Sequence, residues 1–114
     1  MTECLFCAIV AGEIPATQVS ETDRVLAFRD INPQAPTHVL LISKVHYPDV
    51  AALAAADSGL LGELITEAHQ AAAAEGLSDH GYRVVFNTGE QAGQTVAHVH
   101  AHLLGGRSLT WPPG

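Results

Sequence analysis

The chain of 114 residues is long enough to bury a core without disulfides or an obligatory metal, and a single domain over residues 1–114 is expected. Apolar residues make up 47% and charged residues 15%, and no apolar run approaches the roughly 18 residues of a membrane span, so a soluble globular protein with no membrane partner is expected. A formal charge of -7 with only five Lys and Arg leaves no basic stripe for nucleic acid; a small anionic ligand stays open, provided that backbone amides and histidines supply local positive potential.

The chain opens on MTECLFCAIVAGEIP. Glu3 stands where a secretory signal carries basic residues, and the apolar part ends without a cleavage site, which predicts a mature, cytoplasmic chain. Residues 4–11 can make a short helix that stops at Gly12 and Ile14-Pro15. ATQVSET and RVLAFRD, residues 16–22 and 24–30, read as a hairpin around Asp23. INPQAP is a loop, because its two prolines fix φ and remove backbone donors. THVLLIS, residues 37–43, is apolar on both sides and suits a central strand. From Asp57 to Glu75 the pattern turns helical, with Leu60, Leu61, Leu64, Ile65, Ala68 and Ala72 on one stripe and Gly76 placed to end it. GYRVVFNT and AHVHAHLL, residues 81–88 and 97–104, are two more strands joined by GEQAGQTV. The order predicts an α+β fold: a five-stranded antiparallel sheet with one long helix and one short N-terminal helix. Its open edge favours self-association.

AHVHAHLL places histidines at every second position. On a strand, His98, His100 and His102 then share one face, and Ala97, Val99, Ala101 and Leu103 share the core face. Such a row can hold a catalytic metal through neutral imidazoles, or its central histidine can attack phosphorus while its neighbours orient phosphate and move protons. The surroundings favour the second. No Glu and no further His follow in LLGGRSLTWPPG. The preceding loop offers Gly93 for close backbone approach and Gln94 and Thr95 as an amide and a hydroxyl for an anionic oxygen or a leaving group. An unperturbed imidazole is largely neutral near neutral pH and so can be a nucleophile. His69, on the helix, and His80 read as solvated.

HVHAHLL, together with FRDINPQAPTHVLLI, GYRVVFNTGEQAGQTV, HVHAHLLGGR and the terminal WPPG, resembles the histidine-triad (HIT) superfamily, and is most similar to its Hint branch of nucleotide-binding proteins. The resemblance covers nearly the whole chain. It implies a homodimer whose two sheets join, and hydrolysis of purine nucleoside 5'-phosphoramidates without a catalytic cofactor. By position, it implies that His100 is the nucleophile that becomes nucleotidylated, that His102 contacts the phosphate, and that His38 supports the nucleophile. Thr95 falls where many relatives have Ser beside the leaving amine; it keeps the hydroxyl but stiffens χ1. Asn87 and Gln94 match phosphate-side contacts, Asp30 the acceptor for the ribose hydroxyls, and Phe6, Ile9, Phe28, Ile31 and Leu40 the apolar nucleoside pocket. A nucleotide-binding regulator with incidental hydrolysis is an alternative. So is a dinucleoside polyphosphate hydrolase of the Fhit type, which WPPG and THVLLI disfavour.

Cys4-x-x-Cys7 fits two buried thiols, a redox pair or half of a zinc site. No thioredoxin-like context supports the redox reading. His46, in SKVHYPD, and His98 resemble the positions that complete a structural zinc site in zinc-carrying histidine-triad relatives. Many Hint proteins lack both cysteines, and there the chain departs from the branch. The tail, residues 107–114, holds the only tryptophan, Trp111, and Pro112-Pro113. The resemblance implies that it reaches the dimer interface and the leaving-group side of the partner's site.

Overall fold

Two periodicities build the molecule. The computed structural model describes residues 4–114, so the reading of Glu3 lies outside the described residues. Period-two segments form strands β1 (Gln18–Glu21), β2 (Val25–Arg29), β3 (Thr37–Ser43), β4 (Tyr82–Val85) and β5 (His100–Gly105). They assemble in the order β1-β2-β3-β5-β4, every neighbouring pair antiparallel. β3 is central and buried along its whole length, as a strand apolar on both faces must be. The β1–β2 hairpin turns where Thr22 Oγ1 accepts from the amides of Arg24 and Val25 at 3.3 and 3.0 Å.

Period-3.6 segments form α1 (Leu5–Val10), α2 (Val50–Ala56) and α3 (Ser58–Ala74). One sheet face, carrying Val25, Ala27, Val39, Leu41, Val99, Ala101 and Leu103, packs on Leu53, Leu60, Leu64, Ala68 and Ala72 of α2 and α3. This is the main core, and each fully buried Leu in it contributes about 1.5–3 kcal/mol by transfer from water. The opposite face, with Leu26, Phe28, Leu40 and Ile42, is covered in part by Phe6 of α1.

Several expectations are adjusted. The apolar stretch before Asp57 is helix α2, started by Asp49, whose side chain accepts from the Ala52 amide at 2.8 Å. Asp57 ends α2 and caps α3, accepting from the Leu60 amide at 3.0 Å. Ile65, placed on the core stripe, is 49% exposed at its edge. The first and fourth strands shrink to four residues each. The last strand begins at His100, so His98 lies in the bend before it and not in a regular row of three.

Candidate functional site

The antiparallel register of β3 with β5 sets His38 opposite Leu104, and Leu40 opposite His102. His38 and His102 are therefore diagonal neighbours on one face. His38 Nε2 lies 2.9 Å from His102 Nδ1, and 3.4 Å from Asp30 Oδ2. The proton positions follow from groups that can act in one sense only. The Gln34 backbone N–H donates to His38 Nδ1 at 3.0 Å, so the His38 proton sits on Nε2 and is donated to His102 Nδ1. His102 then carries its own proton on Nε2. The backbone carbonyl of His98 can only accept, so His100 Nδ1–H donates to it at 2.7 Å, leaving a lone pair on His100 Nε2. Burial, reinforced by the neighbouring His100 and His38, pushes the His102 pKa down to about 4. Burial also lowers His38, with the Asp30 carboxylate opposing it. Both are neutral at pH 7.

His100 and His102 open onto a cavity of about 260 Å³. It is also lined by Phe6, Ile9, Phe28, Asp30, Ile31, Leu40 and Thr95, so nine of the expected site residues meet there. Phe6 and Phe28 meet edge to face at 5.7 Å, and Ile31 is fully exposed on the rim. Asn87 is elsewhere. It lines a second cavity of about 680 Å³ on the other side of His102, together with Gln34, Arg83 and Trp111.

The Gln94 amide is engaged with the loops: its Nε2 donates to the carbonyls of Pro48 and Val96 at 2.7 and 3.0 Å, and its Oε1 accepts from the Gly89 amide at 3.0 Å. A phosphate contact from Gln94 requires exchange of one of these bonds. Gly93 takes a φ of 84° at the end of the short 3₁₀ turn Glu90–Ala92, a backbone conformation that favours glycine, and a Cβ there would meet no protein atom within 4 Å. His69 and His80 are exposed, His69 hydrogen-bonding the Tyr82 hydroxyl.

Cys4, Cys7, His46 and His98 bring four ligand atoms within 4.8 Å of one another. His98 Nδ1 is 3.3 Å from Cys4 Sγ, 3.4 Å from Cys7 Sγ and 3.1 Å from His46 Nδ1, and Cys7 Sγ is 3.4 Å from His46 Nδ1. A zinc tetrahedron with Zn–N of about 2.0–2.1 Å and Zn–S of about 2.3 Å has edges of roughly 3.4–3.8 Å; the four atoms stand at or slightly inside those edges, so a small opening of the cluster accommodates the ion. His98 Nε2–H donates to the Ser43 carbonyl at 2.7 Å, which turns the Nδ1 lone pair into the cluster, as an outer partner does for a ligating histidine. Burial, with Cys4 alongside, pushes the Cys7 thiol up to about 11, so the Cys7 sulfur stays protonated near neutrality unless a cation lies beside it. Asp30, His38 and His102 also converge within 4.8 Å, but there the Gln34 amide holds the His38 proton inside the cluster, which opposes a metal.

The orienting groups that the sequence did not reveal are backbone atoms: the Gln34 amide and the carbonyls of Ser43 and His98. Their identity as hydrogen-bonding groups is common to most residues, so no side-chain pattern marks them.

A HIT domain model matches residues 11–109. A 14 kDa zinc-binding protein of Zea mays is 52% identical, covering 96% of this chain and 87% of the relative. Adenylylsulfatase HINT1 of Arabidopsis thaliana is 48% identical over 96% of this chain and 76% of its own. The purine nucleoside phosphoramidase of Escherichia coli K12 is 47% identical over 94% and 90%. The crystal structure of a HIT family hydrolase from Legionella pneumophila superposes with a TM-score of 0.95 at 55% identity, covering 98% of this chain and 100% of that one.

Proposed function

The chain belongs to the HIT domain family, and from that premise we propose that it is a hydrolase that cleaves purine nucleoside 5'-phosphoramidates at the P–N bond through a nucleotidyl intermediate on His100. The observation that carries the reading is the meeting, in one cavity, of an apolar floor, the Asp30 carboxylate and the paired imidazoles of His100 and His102. Phe6, Ile9, Phe28, Ile31 and Leu40 suit a purine nucleoside, and Asp30 suits the ribose hydroxyls.

His100 Nε2 attacks phosphorus as the P–N bond breaks. Positive charge grows on the imidazole, and the His98 carbonyl on Nδ1–H, at 2.7 Å, is preorganised to stabilise it. His102, neutral and oriented by His38, donates Nε2–H to a non-bridging phosphate oxygen. The Thr95 hydroxyl lies on the leaving-group side, where the amine departs with a proton. Water then attacks phosphorus and the bond to His100 breaks; the hydroxyl stays on phosphorus in the nucleoside monophosphate, and water's second proton goes to solvent, replacing the one that solvent supplied to the departing amine. Asn87 and Gly93 belong to the phosphate side of this reading, and Gln94 joins it by exchanging a loop bond.

No catalytic cofactor enters the reaction. Cys4, Cys7, His46 and His98 would hold a structural zinc, which when bound cross-links α1, the 44–48 loop and the approach to β5. The reading treats residues 1–114 as one cytoplasmic domain that pairs as a homodimer with the 107–114 tail at the interface. It includes neither nucleic acid nor membrane among the partners; no described helix is long and apolar enough to cross a membrane.

Turnover of an adenosine 5'-phosphoramidate by the purified chain, abolished in His100→Ala, is the expected result. Absence of turnover in the native chain, with AMP still bound tightly, would instead make it a nucleotide-binding regulator. Adenylyl sulfate and a diadenosine polyphosphate, assayed side by side, separate the leaving groups, because attack at phosphorus is common to all three; faster cleavage of the polyphosphate would overturn the assignment.

A further inference from the structure

Helix α1 has only six residues, Leu5–Val10, too short to persist on its own. Its residues face two sites. Cys4, at its N-cap, and Cys7 belong to the thiol-imidazole cluster, while Phe6 and Ile9 line the cavity of His100. Phe6 is 5% exposed and stands edge-on to rings of both sites: its centroid is 5.9 Å from that of His98, a member of the cluster, and 5.0 Å from that of His100, with interplanar angles of 76° and 84°. A second link is the backbone of His98. Its ring reaches the cluster and the Ser43 carbonyl, and its own carbonyl holds His100 Nδ1–H.

We propose that zinc binding at Cys4, Cys7, His46 and His98 and nucleotide binding in the His100 cavity are energetically coupled through α1 and Phe6, each tightening the other. The inference rests on the metal and nucleotide readings above and adds a linkage between them. Fixing both cysteines fixes α1, and with it the walls that Phe6 and Ile9 give the nucleoside. A nucleotide packed on those walls holds the two sulfurs in ligating position in return. Linkage requires the two effects to be equal.

The probes are Zn²⁺ and AMP with the full-length chain. Calorimetry of AMP on zinc-loaded and chelator-stripped protein should show binding about tenfold weaker after stripping, within the usual range of such couplings. Competition with a chromogenic chelator should show zinc held tighter by the same factor in saturating AMP. Phe6→Leu keeps an apolar residue on α1 and should weaken AMP binding in both metal states, because Phe6 is itself a wall of the cavity, while the ratio of AMP affinities between the zinc-loaded and stripped states falls below about threefold; a ratio still near tenfold would overturn Phe6 as the link. Equal AMP affinity in both metal states overturns the coupling alone. Failure of both states to bind AMP overturns the nucleotide reading with it, and failure of the native chain to take up zinc overturns the metal reading with it. Far-UV circular dichroism of the stripped protein completes the test: preserved sheet signal supports a local linkage, and global unfolding overturns it.

Discussion

His102 sits between an N–H donor, His38 Nε2, and the open cavity, and its neutrality is what makes the pair work. A protonated His102 would present N–H to N–H across 2.9 Å. The pH dependence follows from the signs. His102 falls from 6.5 to about 4 in the folded protein, and His38 is lowered as well. A histidine whose folded pKa is depressed is held neutral by the fold, so folding opposes its protonation. The stability this protects is fully present above about pH 6.5 and is lost as pH falls toward about 4. Urea midpoints should therefore decline between about pH 6.5 and about pH 5, a window above most carboxylate titration. In His102→Gln, which has no proton to gain there, the decline should be shallower. An identical slope in the variant would show that His102 does not carry the effect.

At the scale of elements, Asp57 joins two helices that the pattern of alanines runs together. Its side chain accepts from the Leu60 amide and from Arg24 Nη1 at 2.8 Å, and Arg24 in turn reaches Glu63. Asp57→Ala removes the cap and should cost about 1–2 kcal/mol in urea denaturation, whereas Asp57→Asn keeps an accepting oxygen and should recover most of it. Equal losses in the two variants would assign the effect to the Arg24 ion pair. The same region shows what the sequence makes legible. The stripe of Leu60, Leu64, Ala68 and Ala72 marked α3 because burial on one side repeats every 3.6 residues; α2 has its own start signal in Pro48-Asp49, overshadowed by uniform small residues that give no contrast between faces. β3 was legible from apolar residues on both faces. The histidine row was legible at His100 and His102, where period two operates, and not at His98. There a ring bonded to Ser43 and turned toward the cysteines, with the Val99 amide donating to the Tyr47 carbonyl at 2.7 Å, places the residue in a bend. The ligand set and the nucleoside pocket came from resemblance, since nothing in local spacing joins Cys4 to His98 or Phe6 to Leu40 across the sheet.

At the scale of the molecule, β4 is a sheet edge of four residues, and its unpaired backbone groups are where a second copy would add. The tail lies beside it. Arg83 of β4 donates to the Thr110 carbonyl at 2.9 Å, and Arg107 donates to the Gln34 carbonyl at the same distance. Trp111, 83% exposed, lines the cavity shared by Asn87, Arg83 and His102. That cavity does not include Phe6 or Phe28, which line the apolar one, so Trp111 and those apolar walls belong to different cavities that both reach His102. An exposed indole next to an open strand edge is the surface expected to be covered in a dimer. Light scattering of the native chain should thus give twice the mass of the monomer. Deleting residues 108–114 should change relative kcat/KM across a series of phosphoramidate amines several-fold, while AMP affinity moves by less than about twofold, because its apolar walls are untouched. A deletion that weakens AMP binding and leaves the amine profile flat would place the tail on the nucleoside side instead.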